Sequence, residues 1–178
     1  AAGDDTTITL ANAASFTITL ASELPEVTRQ ITIVNPNASP TTEIDGSALA
    51  AGDACFSLGA GSESSAVLGL TFSGCPIALE VGADDVTIGS GTSGTGAVVI
   101  ADQTANTSES VSFAAGVDGV AVSNLYCGVE IDGSDAGQSG VCLAIDGSNH
   151  TVQDSAIGFI SSGGEGIDIA STSSNITF

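Results

Sequence analysis

The sequence contains no lysine, methionine or tryptophan, and Arg29 is its only strongly basic residue. Against that single cation stand 21 acidic residues, which give a formal net charge of −20. Such a chain cannot neutralise phosphates by releasing their counterions, so nucleic acid and anionic membranes are excluded as expected partners. Acidic polysaccharides are disfavoured as well, unless a bound divalent cation reverses the local charge.

Long apolar runs are also missing. The longest are short stretches such as residues 97–101, whereas a membrane-spanning helix needs about 20 apolar residues. We therefore expect no membrane insertion. The chain opens with Ala1-Ala2-Gly3 and no methionine, which is typical of a mature chain after removal of a signal peptide. We expect a secreted or cell-surface protein.

Helical spacing of apolar residues is absent throughout the chain. The apolar clusters are instead short, rich in β-branched residues and alternating, which is typical of strands. Gly, Asn, Asp, Ser and Pro separate them, and these residues favour turns. The chain is therefore predicted to be all-β. The clusters are residues 7–10, 16–20, 31–34, 68–72 and 85–88.

Two internal repeats suggest how these strands are arranged. The segment Glu43–Ser47 recurs as Glu130–Ser134, and in both copies a cysteine, Cys55 or Cys142, follows the isoleucine by eleven residues. A seven-residue link also joins apolar residues four times: Val81 to Ile88, Phe113 to Val120, Ile145 to Val152, and Ile169 to Ile176. Repeats with loops of variable length between them are typical of a solenoid.

The predicted fold is a single-stranded, right-handed parallel β-helix (solenoid) with variable loops. We expect one domain over residues 1–178, in which residues 1–30 form opening rungs or an N-terminal strand region and residues 31–178 form regular coils. A Greek-key sandwich is the alternative, because it also has short strands at close spacing. It does not explain the repeated Ile-Asp-Gly-Ser segments with a cysteine at a fixed distance.

Part of the chain resembles a known family. The matching segments are residues 16–20, 24–27, 31–33, 43–46 and 67–74. Over about residues 6–74 they resemble the opening rungs of secreted right-handed β-helix proteins with a CSLREA-type domain, related to polymorphic outer-membrane repeat proteins. Residues 77–178 are similar to carbohydrate-binding and sugar-hydrolase β-helix repeats. The resemblance implies surface display or adhesion, and no catalytic residue is carried over.

Four cysteines in a chain that reads as secreted predict two disulfides. The pairs we favour are Cys55 with Cys75 and Cys127 with Cys142, which close loops of 20 and 15 residues. Four buried free thiols are the alternative. No CxxC pair or histidine-rich spacing accompanies them, so zinc is disfavoured.

The sequence gives little reason to expect an enzyme. Sugar-cleaving β-helices use clustered basic residues or a Gly-His-Gly with converging aspartates, and this chain offers only Arg29 and His150, the latter expected to lie exposed in a polar turn. Paired carboxylates could hydrolyse glycosides. However, Asp132 and Asp146, like Asp45, recur with the repeat, so we interpret them as turn formers. A glycosidase or carbohydrate-binding protein remains the alternative, with glycans as possible partners.

No cofactor is expected, apart from weak calcium binding to acidic turns. The candidate ligands are Asp84, Asp85, Asp132 and Asp135. Four Asn-x-Ser/Thr triplets are candidate glycosylation sites, namely Asn37, Asn106, Asn149 and Asn175. Ice binding is disfavoured, because the Thr-x-Thr pattern of the first strands does not persist along the sequence.

The two ends of the predicted coil suggest self-assembly. Strand-like sequence starts near Thr6, and no C-terminal cap is recognisable, so both ends are expected to expose strand edges. Contact between opposite ends does not close on itself and generates filaments. The expected function is thus a non-enzymatic structural or adhesive protein whose partners are copies of itself; the alternative is that further rungs follow residue 178. The residues expected at the assembly ends are Ile8, Leu10, Ile169, Ile176 and Phe178.

Overall fold

The computed structural model describes residues 5–10, 14–37, 40–91, 96–101, 109–137, 140–158, 160 and 164–178. These residues contain seventeen strands and no helix, and the ladders between the strands are parallel. Each turn of the coil has three sides, and the strands on each side form a separate sheet. The chain is a parallel β-helix, as predicted. Within these described ranges no helix could cross a membrane.

Each sheet collects one strand from each turn of the coil. The first sheet contains β1 (Thr6–Thr9), β3 (Ile31–Val34), β6 (Ala66–Leu68), β9 (Thr87–Ile88), β12 (Ala121–Ser123) and β15 (Thr151–Gln153). The second contains β2 (Phe16–Thr19), β4 (Thr42–Asp45), β7 (Leu70–Ser73), β10 (Val98–Ala101), β13 (Leu125–Cys127) and β16 (Ala156–Ile157). The third contains β5 (Ala54–Leu58), β8 (Ile77–Val81), β11 (Glu109–Phe113), β14 (Val141–Ile145) and β17 (Ile167–Ile169).

Isolated bridges extend two of the sheets by one layer. Val27 pairs with Leu58 and so adds a layer to the third sheet before β5. Thr177 pairs with Thr151 and adds a layer to the first sheet after β15. The first and third sheets therefore continue beyond their named strands.

The core consists of apolar rows that run along the coil axis. In the first sheet, parallel pairing places five residues one above another: Ile33, Val67, Ile88, Val122 and Val152. All five are buried. Burying one such side chain stabilises the fold by about 1.5–3 kcal/mol before entropy is subtracted. Because each row member packs against the turns above and below, a turn in the middle of the coil depends on both neighbours.

Sharp corners between the first and second sheets use residues in the left-handed conformation. Asn124 and Asp154 have φ values of 51° and 50° there, a region that Asn and Asp tolerate better than other side chains. Gly69 occupies the same corner with φ 75°, and a Cβ at this position would lie 2.5 Å from the Asn35 carbonyl oxygen. These corners explain why turn-forming residues recur between the apolar clusters.

The four seven-residue links of the sequence do not all occupy equivalent positions in the coil. Their first residues do share one row of the third sheet, since Phe113 pairs with Val81 and Ile145 with Ile169. Their last residues fall in two different rows. Ile88 and Val152 align with Val122, whereas Val120 and Ile176 align with His150. The prediction of four equivalent links is therefore wrong for two of them.

Two disulfides join the pairs favoured from the sequence. Cys55 is bonded to Cys75 and Cys127 to Cys142, and no cysteine is free. The first links one turn to the next, and the second closes the connection between β13 and β14. In the chain-entropy picture a 15-residue loop of this kind stabilises the fold by about 3 kcal/mol. The disulfides are consistent with an extracellular location.

His150 is buried, so the prediction of an exposed histidine in a polar turn is wrong. Its Nδ1 accepts a hydrogen bond from the Val120 amide at 3.1 Å, which leaves Nε2–H to donate to the Asp146 carbonyl at 3.0 Å. The ring packs against Phe113 with a centroid distance of 5.0 Å. Gly147, with φ 98°, is required beside it, because a Cβ there would lie 1.9 Å from the Val117 carbonyl oxygen.

We expect His150→Val to destabilise the protein. Valine itself fits this row of the coil, since Val120 occupies the same position one turn earlier. The change leaves the Val120 amide and the Asp146 carbonyl without partners, and each unsatisfied buried group costs about 1–3 kcal/mol. Urea unfolding monitored by circular dichroism measures the loss. Ile176→Val, an apolar exchange in the same row, is the control and should cost less. Equal stability of His150→Val and wild type would contradict this role of the ring.

Candidate functional site

The N-terminal end of the coil exposes two strand edges. Among the described residues, β1 pairs only with β3 and β2 only with β4. Ile8 and Ile18 pair with the buried Ile33 and Ile44, so both belong to inward-facing rows. They are nevertheless 42% and 39% exposed, because no described turn covers them.

The C-terminal end presents a matching surface. β16 and β17 are the last named strands of the second and third sheets. Ile169 pairs with the buried Ile145 but is 43% exposed. Phe178 follows Thr177, whose carbonyl accepts a hydrogen bond from the Val152 amide, and it is 65% exposed. This end also exposes side chains that continue core rows.

Among the described residues, large apolar side chains are exposed only on these two surfaces. Across the part of the chain that the structure describes, the exposed large hydrophobic residues are Ile8, Phe16, Ile18, Ile169 and Phe178. These side chains lie in inward-facing rows but contact solvent, because no described turn packs over them. We define Ile8, Phe16 and Ile18 as the N-terminal face, and Ile157, Ile169 and Phe178 as the C-terminal face.

Of the residues expected at the ends, the structure places Ile8 and Leu10 at one end, and Ile169, Ile176 and Phe178 at the other. Leu10 and Ile176 are partly buried against the core. The sequence reasoning missed Phe16 and Ile18. Their alternation in Phe-Thr-Ile-Thr was visible in the sequence, but their place at an edge follows only from the pairing of β2 with β4.

Hydroxyl and carboxylate groups alternate between layers on the outer side of the second sheet. Thr17 donates to Glu43 at 2.9 Å, Thr19 donates to Asp45 at 3.4 Å, and Ser73 donates to the other oxygen of Glu43. Carboxylates are thereby separated by hydroxyl donors in adjacent strands. This arrangement limits like-charge repulsion, which destabilises directly opposed pairs.

The structure does not gather the four calcium candidates into a site. No group of three or more His, Cys, Asp or Glu residues suited to a metal ion occurs within the described ranges. Asp84 instead accepts the Asp118 amide at 2.8 Å, and Asp135 accepts the Gly137 amide at 2.8 Å. Asp85 adopts φ 57° in a corner. These aspartates stabilise turns.

Two of the three aspartates in the Ile-Asp-Gly-Ser segments share one turn hydrogen bond, whereas the third, Asp146, accepts from the Gly147 amide and the Thr172 hydroxyl. Asp45 and Asp132 each accept the amide of the serine two residues later at 2.9 Å. Hydrogen bonds from Ser47 lower the pKa of Asp45, and those from Ser134 lower the pKa of Asp132. The lowered pKa disfavours either residue as the general acid of a glycosidase, whose pKa must be raised.

Asp118 forms part of a polar ladder between turns. Asn149 donates to its carboxylate at 2.7 Å and Ser148 at 3.1 Å, and Asn175 in turn donates to Asn149 at 2.9 Å. The hydrogen bond from Asn149, followed by that from Ser148, lowers the pKa of Asp118. The ionised carboxylate is therefore favoured in the folded chain.

The lowered pKa values of Asp45, Asp118 and Asp132 predict acid sensitivity. A carboxyl group whose pKa is depressed on folding contributes stability that is complete above its ordinary value, here 3.8, and is lost as the pH falls through the folded-state value. We expect the urea midpoint to decrease below about pH 4. Asp118→Asn keeps an acceptor oxygen but does not titrate, so its decrease should be smaller. Glu23→Gln is the control with the same charge change, and an identical profile for both variants would refute the assignment.

Three candidate glycosylation residues already use the nitrogen that a glycan would occupy. The Nδ2 atom of Asn37 donates to Asn35, and those of Asn149 and Asn175 donate within the ladder described above. Glycan attachment would remove one of the two protons of each amide and, at Asn149 and Asn175, place a bulky group within the ladder. The fourth candidate, Asn106, lies outside the described residues.

One face of the coil carries no charge in its central column. On the outer side of the first sheet the paired residues are Thr7, Thr32, Ala66, Thr87, Ala121, Thr151 and Thr177. Threonine recurs in this column with two alanine interruptions, whereas the column of Thr9 continues with Val34 and Leu68, so the Thr-x-Thr pattern of the first strand does not persist. Uncharged hydroxyl and methyl groups dominate this column although the chain has a charge of −20.

The chain matches no family model, and neither a curated protein nor a solved structure is significantly similar to it.

Proposed function

We propose that this protein is a secreted, non-enzymatic structural or adhesive unit that assembles end to end into an extracellular filament or surface layer. The observation that carries the proposal is the position of its exposed core-row residues. They occur only on the N-terminal and C-terminal faces within the described chain. A second copy offers the matching surface, because the C-terminal face of one copy and the N-terminal face of another both present parallel strand edges and apolar side chains.

The composition of the edge strands supports this proposal. Natural proteins usually protect exposed strand edges with charged residues or proline. β1, β2 and β16 contain neither, and β17 contains only Asp168. The edge at Val27 is the exception, because Pro25 and Glu26 precede it. In a chain with 21 acidic residues, uncharged edges favour strand addition. The uncharged column of the first sheet offers a further surface for adhesion or for contact between neighbouring stacks.

Blocking each end separately tests the proposal. Ile18→Glu places a charge on the N-terminal face, and Ile169→Glu places one on the C-terminal face. We expect wild type to form filaments at high concentration in electron micrographs, and each variant alone to remain monomeric. An equal mixture should form dimers and nothing longer, because each variant retains one unmodified face. Analytical ultracentrifugation measures these species.

Ala115→Glu is the matched control, because it adds the same charge to an exposed turn in the middle of the coil, away from both end faces and from the uncharged column. It should assemble as wild type does. Dispersed wild-type monomers at high concentration, or filaments formed by either end variant alone, would count against end-to-end assembly.

Carbohydrate binding is the second candidate function. A groove of about 460 Å³ lies against the outer side of the second sheet and is lined by Pro40, Thr71, Val99, Glu130, Ile131 and Asp132. It combines apolar and acidic groups, as sugar sites do. Ligands of this groove would be neutral glycans, because its carboxylates repel uronic acids.

Substitution of two equivalent aspartates distinguishes carbohydrate binding from a purely structural role. Asp45→Ala and Asp132→Ala remove the same turn hydrogen bond, but only Asp132 lines the groove. If the groove binds neutral glycans, Asp132→Ala should reduce retention on an insoluble neutral polysaccharide and Asp45→Ala should not. Equal retention of both variants, or no retention of wild type, would argue for the structural function alone.

A further inference from the structure

The described coil does not end after a whole number of turns. The first sheet has seven layers, made of its six strands and the layer at Thr177. The second sheet has six layers, and the third has six when Val27 is counted. Since each turn contributes one layer to each sheet, the described chain winds six turns and one additional side.

This additional side determines where a second copy can continue the coil. At the C-terminal end the next open layer lies over β16, the following one over β17, and the third over the segment containing Thr177. A second copy begins with β1, continues with β2 and then reaches Val27. If β1 were instead placed over Thr177, one layer would stay open above β16 and another above β17, leaving strand edges unpaired and an unfilled gap in the core.

We propose that successive copies are rotated by one third of a turn, so that β1 of one copy pairs with β16 of the previous copy, and β2 pairs with β17. This inference rests on the proposed end-to-end assembly and specifies its register. Inward residues then follow one another across the junction. Ile8 lies over Ile157, and Ile18 lies over Ile169, so the apolar rows continue without interruption.

Side-chain polarity on the outer surface favours the same register. When Ile18 lies over Ile169, Thr17 lies beside Asp168 and separates it from Glu43, to which the Thr17 hydroxyl donates its proton. Without rotation, the open layer above β17 would separate Asp168 from Glu26 of the next copy, although both belong to the outer column of the third sheet that contains Ser57, Glu80 and Ala144. Only the rotated register therefore places an uncharged hydroxyl residue directly beside Asp168.

The register fixes the symmetry of the filament. Each copy adds six and one third layers, and neighbouring strands are separated by about 4.8 Å, so the expected rise is about 30 Å per copy. Three copies complete one additional rotation, giving a repeat of about 90 Å. All copies point in the same direction, so the filament is polar.

Cysteine pairs at the junction test the register. Residues facing each other on adjacent strands have Cα atoms about 5 Å apart, within the range that a disulfide spans. Thr17→Cys with Asp168→Cys places two cysteines in contact only in the rotated register. Thr7→Cys with Thr177→Cys is the matched control, because the unrotated register places β1 directly over the segment containing Thr177 and both threonines belong to the outer column of the first sheet. Each double variant is oxidised under assembling conditions and analysed on non-reducing gels.

We expect a ladder of covalent oligomers from the Thr17/Asp168 pair and none from the Thr7/Thr177 pair. Cryo-electron microscopy of wild-type filaments should give a rotation near one third of a turn and a rise of about 30 Å. The reverse crosslinking result would overturn the rotated register but retain the proposed assembly. Filaments with neither crosslink would also overturn it, whereas the absence of both crosslinks and filaments would refute the proposed function itself.

Discussion

The fold depends on backbone pairing between successive layers. In a parallel β-helix the amide and carbonyl groups of each strand point along the coil axis, so only the turns above and below can satisfy them. The same contact buries the apolar rows, as when Val67 packs between Ile33 and Ile88. The same pairing therefore explains both the stability of the coil and the exposed edges at its two ends. Interior turns have hydrogen-bond partners on both sides, whereas the first and last described turns have them on one side only.

Much of this architecture could be predicted from local patterns in the sequence. Alternation of β-branched residues identified strands, and turn residues identified corners such as Asn124. The repeated Glu-Ile-Asp-Gly-Ser segment, with a cysteine at a fixed distance, indicated a coil and favoured the correct disulfides. These features are predictable because they depend on residues close in sequence, where spacing directly reflects geometry.

The features that escaped prediction depend on which distant residues become neighbours. His150 is surrounded by polar residues in the sequence, yet the unequal lengths of successive corners place it in the same row as Val120. The threonine column of the first sheet has the same cause, since Thr32 and Thr87 are aligned only through Ala66 between them. Loop lengths set these alignments, and a single sequence does not reveal which loop residues lie outside the coil.

Charge distribution connects the fold to its proposed assembly. Repulsion between chains of charge −20 acts over distance and is screened within about 8–10 Å at moderate ionic strength, whereas strand pairing and apolar contact act only at the junction. The edge strands β1 and β2 carry no charge, so the attractive contacts are not weakened where they form. Added salt therefore weakens the repulsion between copies and leaves strand pairing and apolar contact at the junction unchanged. For the proposed assembly we therefore expect dispersed copies in dilute salt and association through the ends as ionic strength rises.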